Sequence, residues 1–201
     1  MSAGVVRRAG ESSAVDARFV RPGDMVFWVL RQFFAIAVLP CTAAVLIPVW
    51  LARRNGIVLG VGSGLPQVLP QAGGLVLLTV GGLLFVASLH RFVSQGRGTL
   101  APWDPPRHLV VQGPYRYVRN PMISGVIFVL FGEALLLLSW PHATWALIFL
   151  GINTIYIPLI EEPGLAKRFG ESYREYCRHV PRLVPRLRPW ERRGRDPGHA
   201  A

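Results

Sequence analysis

The chain has 201 residues, is 51% hydrophobic and only 16% charged, and carries a formal net charge of +11. Its long uncharged windows have no polar stripe, which argues against an ordinary soluble helical domain. The basic excess flanks those windows without any nucleic-acid motif, so it sets membrane topology and contacts anionic headgroups.

In chain order, residues 1–23 are polar, mixed in charge and lack the apolar core of a cleavable signal, and they read as a flexible cytoplasmic leader. Residues 24–96 form an N-terminal membrane region with two predicted spans, 25–51 and 72–89, the first kinked by Pro40 and Pro48. Gly60, Gly62 and Gly64 follow a membrane span and not a strand, so they form an exterior connection and not a nucleotide loop. Residues 97–190 form the core. Its uninterrupted block, 122–160, has 39 residues. One crossing takes roughly 20 apolar residues, so the block reads as two antiparallel helices, 122–140 and 143–160, turned at Pro141-His142. Residues 191–201 form a flexible tail.

The prediction is an all-α integral membrane protein with about four transmembrane helices and a C-terminal cytoplasmic amphipathic helix. Of 22 basic residues, 20 fall in alternate segments and two in the others. Under the positive-inside rule both termini and the 91–119 loop are cytoplasmic, in what we take as a bacterial inner membrane. Trp103 and Trp140 read as interfacial belt residues. The histidines show no metal-ligand spacing, so no metal is expected. Cys41 sits in a predicted span and Cys177 on a cytoplasmic segment, which argues against a disulfide. Glu133 lies inside an apolar helix, where a structural hydrogen bond to a neighbouring helix, through Asn153, is expected.

Two polar stretches abut the open ends of the hairpin: Gly113-Pro114-Tyr115-Arg116-Tyr117-Val118-Arg119-Asn120-Pro121 before it and Glu161-Glu162-Pro163 after it. The hairpin returns both to one membrane face. Beyond the carboxylates, Leu165, Phe169, Tyr173, Tyr176, Cys177 and Val180 recur at three- and four-residue intervals, as on one amphipathic helix ended by Pro181. That helix reads as a membrane-surface anchor or as a cover that closes over a cofactor at the hairpin's mouth.

The stretch 113–122, together with 161–182, resembles the isoprenylcysteine carboxyl methyltransferase family and its bacterial relatives, which also resemble phospholipid N-methyltransferases. The likeness covers residues 97–190. It implies an integral-membrane enzyme that uses S-adenosylmethionine without a soluble Rossmann domain. By position, it implies cofactor contacts at His108, Leu109, Val110, Tyr115, Asn120, Pro121, Met122, Ile123 and Glu161. The family's Arg-His-Pro is Arg119-Asn120-Pro121 here, an amide in place of an imidazole. The substrate arginine of the eukaryotic prenylcysteine enzymes falls on Ile157, which argues against a prenylated-protein substrate.

The residue types suit this chemistry. Glu161 can accept from the cofactor's amino group or ribose, and the helix end near Pro121 offers backbone N–H groups to its carboxylate. Glu162, Arg119 and Arg182 are the candidate catalytic residues: Glu162 would take a proton from an amine acceptor, and the arginines would hold an anionic one. The expected partners are a lipophilic small molecule from the bilayer and membrane lipids, with no nucleic acid and no obligatory protein partner. The rival readings are a membrane sterol-reductase relative using NADPH and a non-enzymatic membrane scaffold.

Overall fold

Proline and glycine set the helix boundaries more sharply than the apolar windows suggest. The computed structural model describes residues 37–60, 64–91, 94, 109 and 111–191. Residues 1–36, which hold the expected leader and the start of the first span, lie outside that set, as do Trp103, His108, Val110 and most of the 91–119 loop. Every described element is helical.

A wide, π-wound segment Ala37–Leu46 leads into α1 (Ile47–Arg54). Next comes α2 (Leu65–Arg91), then a single 3-10 turn (Gly113–Arg116) and α3 (Pro121–Leu136). The chain continues through α4 (Trp140–Tyr156), a π turn (Ile157–Glu161), α5 (Glu162–Phe169) and α6 (Glu171–His179). Two stretches are long and apolar enough to cross a membrane, Leu65–Arg91 and Trp140–Phe169.

Three boundaries differ from those expected. The hairpin does not turn at Pro141-His142. It turns at residues 137–139, where Leu138 adopts φ 49°, and Pro141 instead opens α4. Proline is tolerated there because a first-turn N–H has no helical acceptor to lose. As a result α3 has only 16 residues, about 24 Å of helix. At the other end the carboxylate pair does not stop the helix. Pro158 cannot donate to the α ladder, so the winding widens over Ile157–Glu161 and then resumes. Finally, the amphipathic helix is two helices, broken at Gly170 with φ 57° and ψ −133°, a region that side chains strongly disfavour.

Glycines seam α2 to α3. Gly74 faces Gly132, and Gly81, seven residues on, faces Gly125. A Cβ on Gly81 would lie 2.6 Å from the Gly125 carbonyl oxygen, and one on Gly74 would lie 2.7 Å from that of Gly132. The two backbones therefore touch, as small residues allow in membrane helix pairs. Ser88, another seven residues along, is also buried. On the other side of α3, Val126 and Leu130 pack with Ala146 of α4.

The Ala37–Arg54 region is tied to α4 by polar contacts. Pro48 has no N–H to offer the carbonyls one turn back, and the Trp145 indole donates to one of them, Ala43 O, at 2.9 Å. His142, almost fully buried, bridges Ser139 Oγ at 2.7 Å and Pro48 O at 3.1 Å. The expected Glu133 to Asn153 bond does not form. The Asn153 amide donates to Phe149 O within its own helix, a local option that short polar side chains often take, and Glu133 Oε2 has no partner among the described residues.

Candidate functional site

The two open ends of the hairpin meet in an ion cluster. Arg182 donates through Nε and Nη2 to both oxygens of Glu162, at 2.7 and 2.9 Å, and Arg119 Nη1 reaches Glu162 Oε1 at 2.9 Å. The fork geometry of Arg182 is the strong, directional form of such a pair. Burial alone would raise the Glu162 pKa, but the Arg182 hydrogen bond and the charges of Arg119 and Arg182 outweigh it and hold the carboxyl below its ordinary range. Glu162, expected as a proton acceptor, is therefore ionised and occupied, which suits positioning better than base chemistry. Arg119 Nη1 also donates to Cys177 Sγ at 2.9 Å, and its Nε is buried without an acceptor among the described residues.

The C-terminal segment grips the backbone of the first motif. Arg119 N donates to Pro181 O at 2.8 Å, Asn120 N to Arg182 O at 3.2 Å, Arg186 N to Tyr117 O at 3.0 Å and Trp190 N to Arg116 O at 2.9 Å. Side chains complete the hold. The Tyr176 hydroxyl donates to Tyr115 O at 2.6 Å, Arg116 Nε donates to Trp190 O, and Ser124 Oγ donates to Leu183 O at 2.7 Å. Tyr173, Tyr176 and Val180 are buried together against Leu109, Val111 and Trp190. That amphipathic face is closed by the protein itself and not left for a bilayer.

The expected cofactor residues fall around this grip. Tyr115 is buried with its hydroxyl 3.4 Å from Met122 Sδ. Burial, and then the charge of Glu161, raise the Tyr115 pKa, so the hydroxyl stays protonated beside that carboxylate. Glu161 is one residue past the uncharged run. It makes no hydrogen bond or ion pair among the described residues, and burial followed by the Glu162 charge pushes its pKa up to about 7. Asn120 caps α3 without a side-chain bond, Pro121 has no N–H, and the N–H groups of Met122 and Ile123 find no acceptor among the described residues. Leu109 lies apart from these, on the Tyr173 and Tyr176 cluster. His108 and Val110 lie outside the described set.

Two clefts flank α6. One of about 480 Å³ is lined by Pro158, Glu162, Tyr173, Arg174, Cys177 and Arg178. The other, about 650 Å³, is bounded by Leu109, Gln112, Arg116, Phe169 and Trp190. Cys177, Tyr176 and Trp190 contact Arg119, Tyr115 and Arg116 of the first motif, which the sequence motifs alone do not indicate. The first two were visible only as part of a periodic apolar face.

A family profile described as phospholipid methyltransferase matches residues 70–172, more than half of the chain, including both motifs and the seam between α2 and α3. The chain belongs to the phospholipid methyltransferase family. Among curated relatives of that family's type, it is similar to a phosphatidylethanolamine N-methyltransferase of Zygosaccharomyces rouxii, 34% identical over 95 residues, which is 46% of this chain and 11% of that protein. Methanethiol S-methyltransferase 2 of Bradyrhizobium diazoefficiens is 40% identical over 76 residues, 36% of this chain and 27% of that protein. A methanethiol S-methyltransferase of Pseudomonas deceptionensis is 35% identical over 88 residues, 42% of this chain and 29% of that protein. The chain thus spans less than a third of the length of these relatives. No solved structure matches it significantly.

Proposed function

We propose that the protein is a membrane methyltransferase that takes its methyl group from S-adenosylmethionine and delivers it to a lipophilic or amphiphilic small acceptor. The observation that supports this most is the clamp itself: Arg119 before the hairpin and Arg182 after it converge on Glu162, holding two separate motifs at one end of apolar helices. An apolar acceptor reaches such a site through the bilayer and a polar cofactor reaches it from water.

The residues present fit the cofactor. Met122 and Ile123 would supply first-turn N–H groups to its carboxylate, and Glu161 an acceptor to its amino or ribose groups, none of the three having a partner among the described residues. S-adenosylmethionine, when bound, supplies an already activated methyl group. The protein's task is then alignment and exclusion of water. Arg119, Arg182 and Glu162 fix the motifs relative to one another, while Tyr176 and Trp190 hold the Tyr115-Arg116 backbone. A thiolate or carboxylate acceptor needs no base. An amine must lose a proton, and of the carboxylate pair only Glu161 changes protonation near neutrality.

The membrane reading takes the whole chain as about four spans with both termini and the 91–119 loop cytoplasmic. The relatives act, by name, on phosphatidylethanolamine in one case and on methanethiol in the others, and Ile157 leaves no charge for a prenylcysteine carboxylate. Calorimetry on the detergent-purified protein separates the readings. We expect saturable binding of S-adenosylhomocysteine and none of NADPH. Binding of NADPH alone assigns the reductase chemistry, and binding of neither assigns a scaffold. Radiolabelled methyl transfer to membrane lipid extract, to methanethiol and to a farnesylcysteine analogue then sorts the acceptor.

A further inference from the structure

The cap buries its tyrosines but leaves two aliphatic side chains bare. Val184 is 76% exposed and Leu187 98%. Both lie on the irregular, bent segment that follows α6, which leaves the helix at Val180 with φ −115° and ψ 125°. The start of that segment is fixed at the hairpin's mouth. Arg182 holds Glu162, two residues past the exposed Ile160, and Leu183 O accepts from Ser124 in the first turn of α3. Val184 therefore follows a residue tied to the level at which the apolar helices emerge. Leu159 and Ile160 are bare at the same end.

The charge around these side chains has one sign. Between Glu175 and Glu191 the chain has no acidic residue, and it places Arg182, Arg186 and Arg188 around the two aliphatics. Arg186 Nη1 is bound to His179 O. Arg188 is exposed with no ion partner among the described residues. Bare aliphatics interleaved with arginines, next to helix ends that leave the apolar phase, match the headgroup boundary of an anionic bilayer, which takes aliphatic tips and holds guanidinium groups.

We propose that residues 184–188 dock on the interface of an anionic phospholipid bilayer, with Val184 and Leu187 inserted and Arg188 against the headgroups, so that the membrane holds the segment that grips the first motif. This rests on the membrane-spanning reading above. It reassigns surface contact from the α5 and α6 face, which the protein covers itself, to the strap that follows.

The test is fluorescence quenching of the full chain in nanodiscs of phosphatidylglycerol and phosphatidylcholine. An environment-sensitive dye is placed at Leu187→Cys in a Cys41→Ala, Cys177→Ala background, with Ile152→Cys on the exposed face of α4 as the control. We expect the Leu187 dye to be blue-shifted, quenched by lipid carrying a shallow nitroxide and shielded from an aqueous quencher, with the shift lost when Val184→Asp is added. Quenching from water and not from lipid at Leu187, while Ile152 is quenched from lipid, overturns the proposal alone. Failure at both positions sinks the spanning reading, and the proposal with it. Spin labels at Leu187 that couple between two copies assign the face to a second copy and also overturn it.

Discussion

The two attachments of α3 work by opposite means. Along its length it meets α2 through Gly125 and Gly132, where two backbones touch because neither glycine puts a side chain in the way. At its N-terminal end it is held through Arg119, Asn120 and Ser124, each bonded to a residue some 60 positions away. The seam is a surface of shape, satisfied by the absence of atoms. The cap is a set of directed bonds, satisfied by their presence. The seam should therefore fail when atoms are added and the cap when they are removed.

The largest effect is expected in the seam. Gly81→Leu or Gly125→Leu puts a Cβ within 2.6 to 2.8 Å of a carbonyl oxygen on the facing helix, and backbone cannot yield as a side chain does. Overpacking typically costs about 1–3 kcal/mol, and a forced separation of two helices lies at or beyond the upper end. Gly82→Leu is the matched control, since nothing lies within 4 Å of its Cβ position. Thermal unfolding in detergent should show loss of the folded species for the first two and a near-native transition for the third.

In the cap, Glu162→Ala leaves two guanidinium groups facing each other. Breaking a buried pair costs about 3–5 kcal/mol, and the low end applies because the Arg182 side chain is 34% exposed. The pH dependence has a definite sign. The folded pKa of Glu162 is depressed, so its contribution is present above the unfolded value and is lost as pH falls through the folded one, below the ordinary carboxylate range. Native protein should thus keep the clamp through mildly acidic pH. A melting temperature of Glu162→Ala that parallels native protein down the whole acid limb would remove the clamp from the stability account.

Glu161 should behave in the reverse way, because no partner among the described residues offsets its burial. Its folded pKa is raised to about 7, so its ionisation weighs increasingly against stability from the unfolded carboxylate value upward, and in full only above about 7. Glu161→Gln should leave stability unchanged or raise it at alkaline pH. It should weaken S-adenosylhomocysteine binding by roughly ten-fold or more, the loss of a charge-assisted bond worth about 1.5–3 kcal/mol. In native protein the affinity should fall as pH drops below about 7, and calorimetry in buffers of different ionisation enthalpy should detect proton release on binding. Affinity independent of pH would place Glu161 away from the ligand.

The smallest effect sharpens the comparison. Tyr176→Phe keeps the ring packed at a tilt against Trp190, 5.8 Å between centroids, and removes only the bond to Tyr115 O. One neutral hydrogen bond is worth about 1 kcal/mol. Cofactor affinity should drop by a small factor with the unfolding transition little moved, whereas Trp190→Ala, which removes packing as well, should lower both.

What the sequence determined by itself was whatever depends on composition and short-range order. Windows nearly free of charge marked the apolar helices, because an ionised side chain in lipid is costly. The length of the 122–160 block forced a return, which put Arg119 and Glu162 at one end before any contact was known. The family motifs were legible for the same reason, being contiguous. Tertiary structure decided the rest. Pro141 could make a turn or open a helix, and only the backbone at Leu138 chose. Among Gly73, Gly74, Gly81 and Gly82, hydropathy cannot tell which face meets α3, since every one fits an apolar window. The periodic tyrosines marked an apolar face without showing what packs on it, which turned out to be Leu109, Val111 and Trp190. The grip of residues 176–190 on residues 115–120 joins positions about 60 to 75 apart through backbone groups. Every residue carries those groups, so no side-chain pattern announces where they pair.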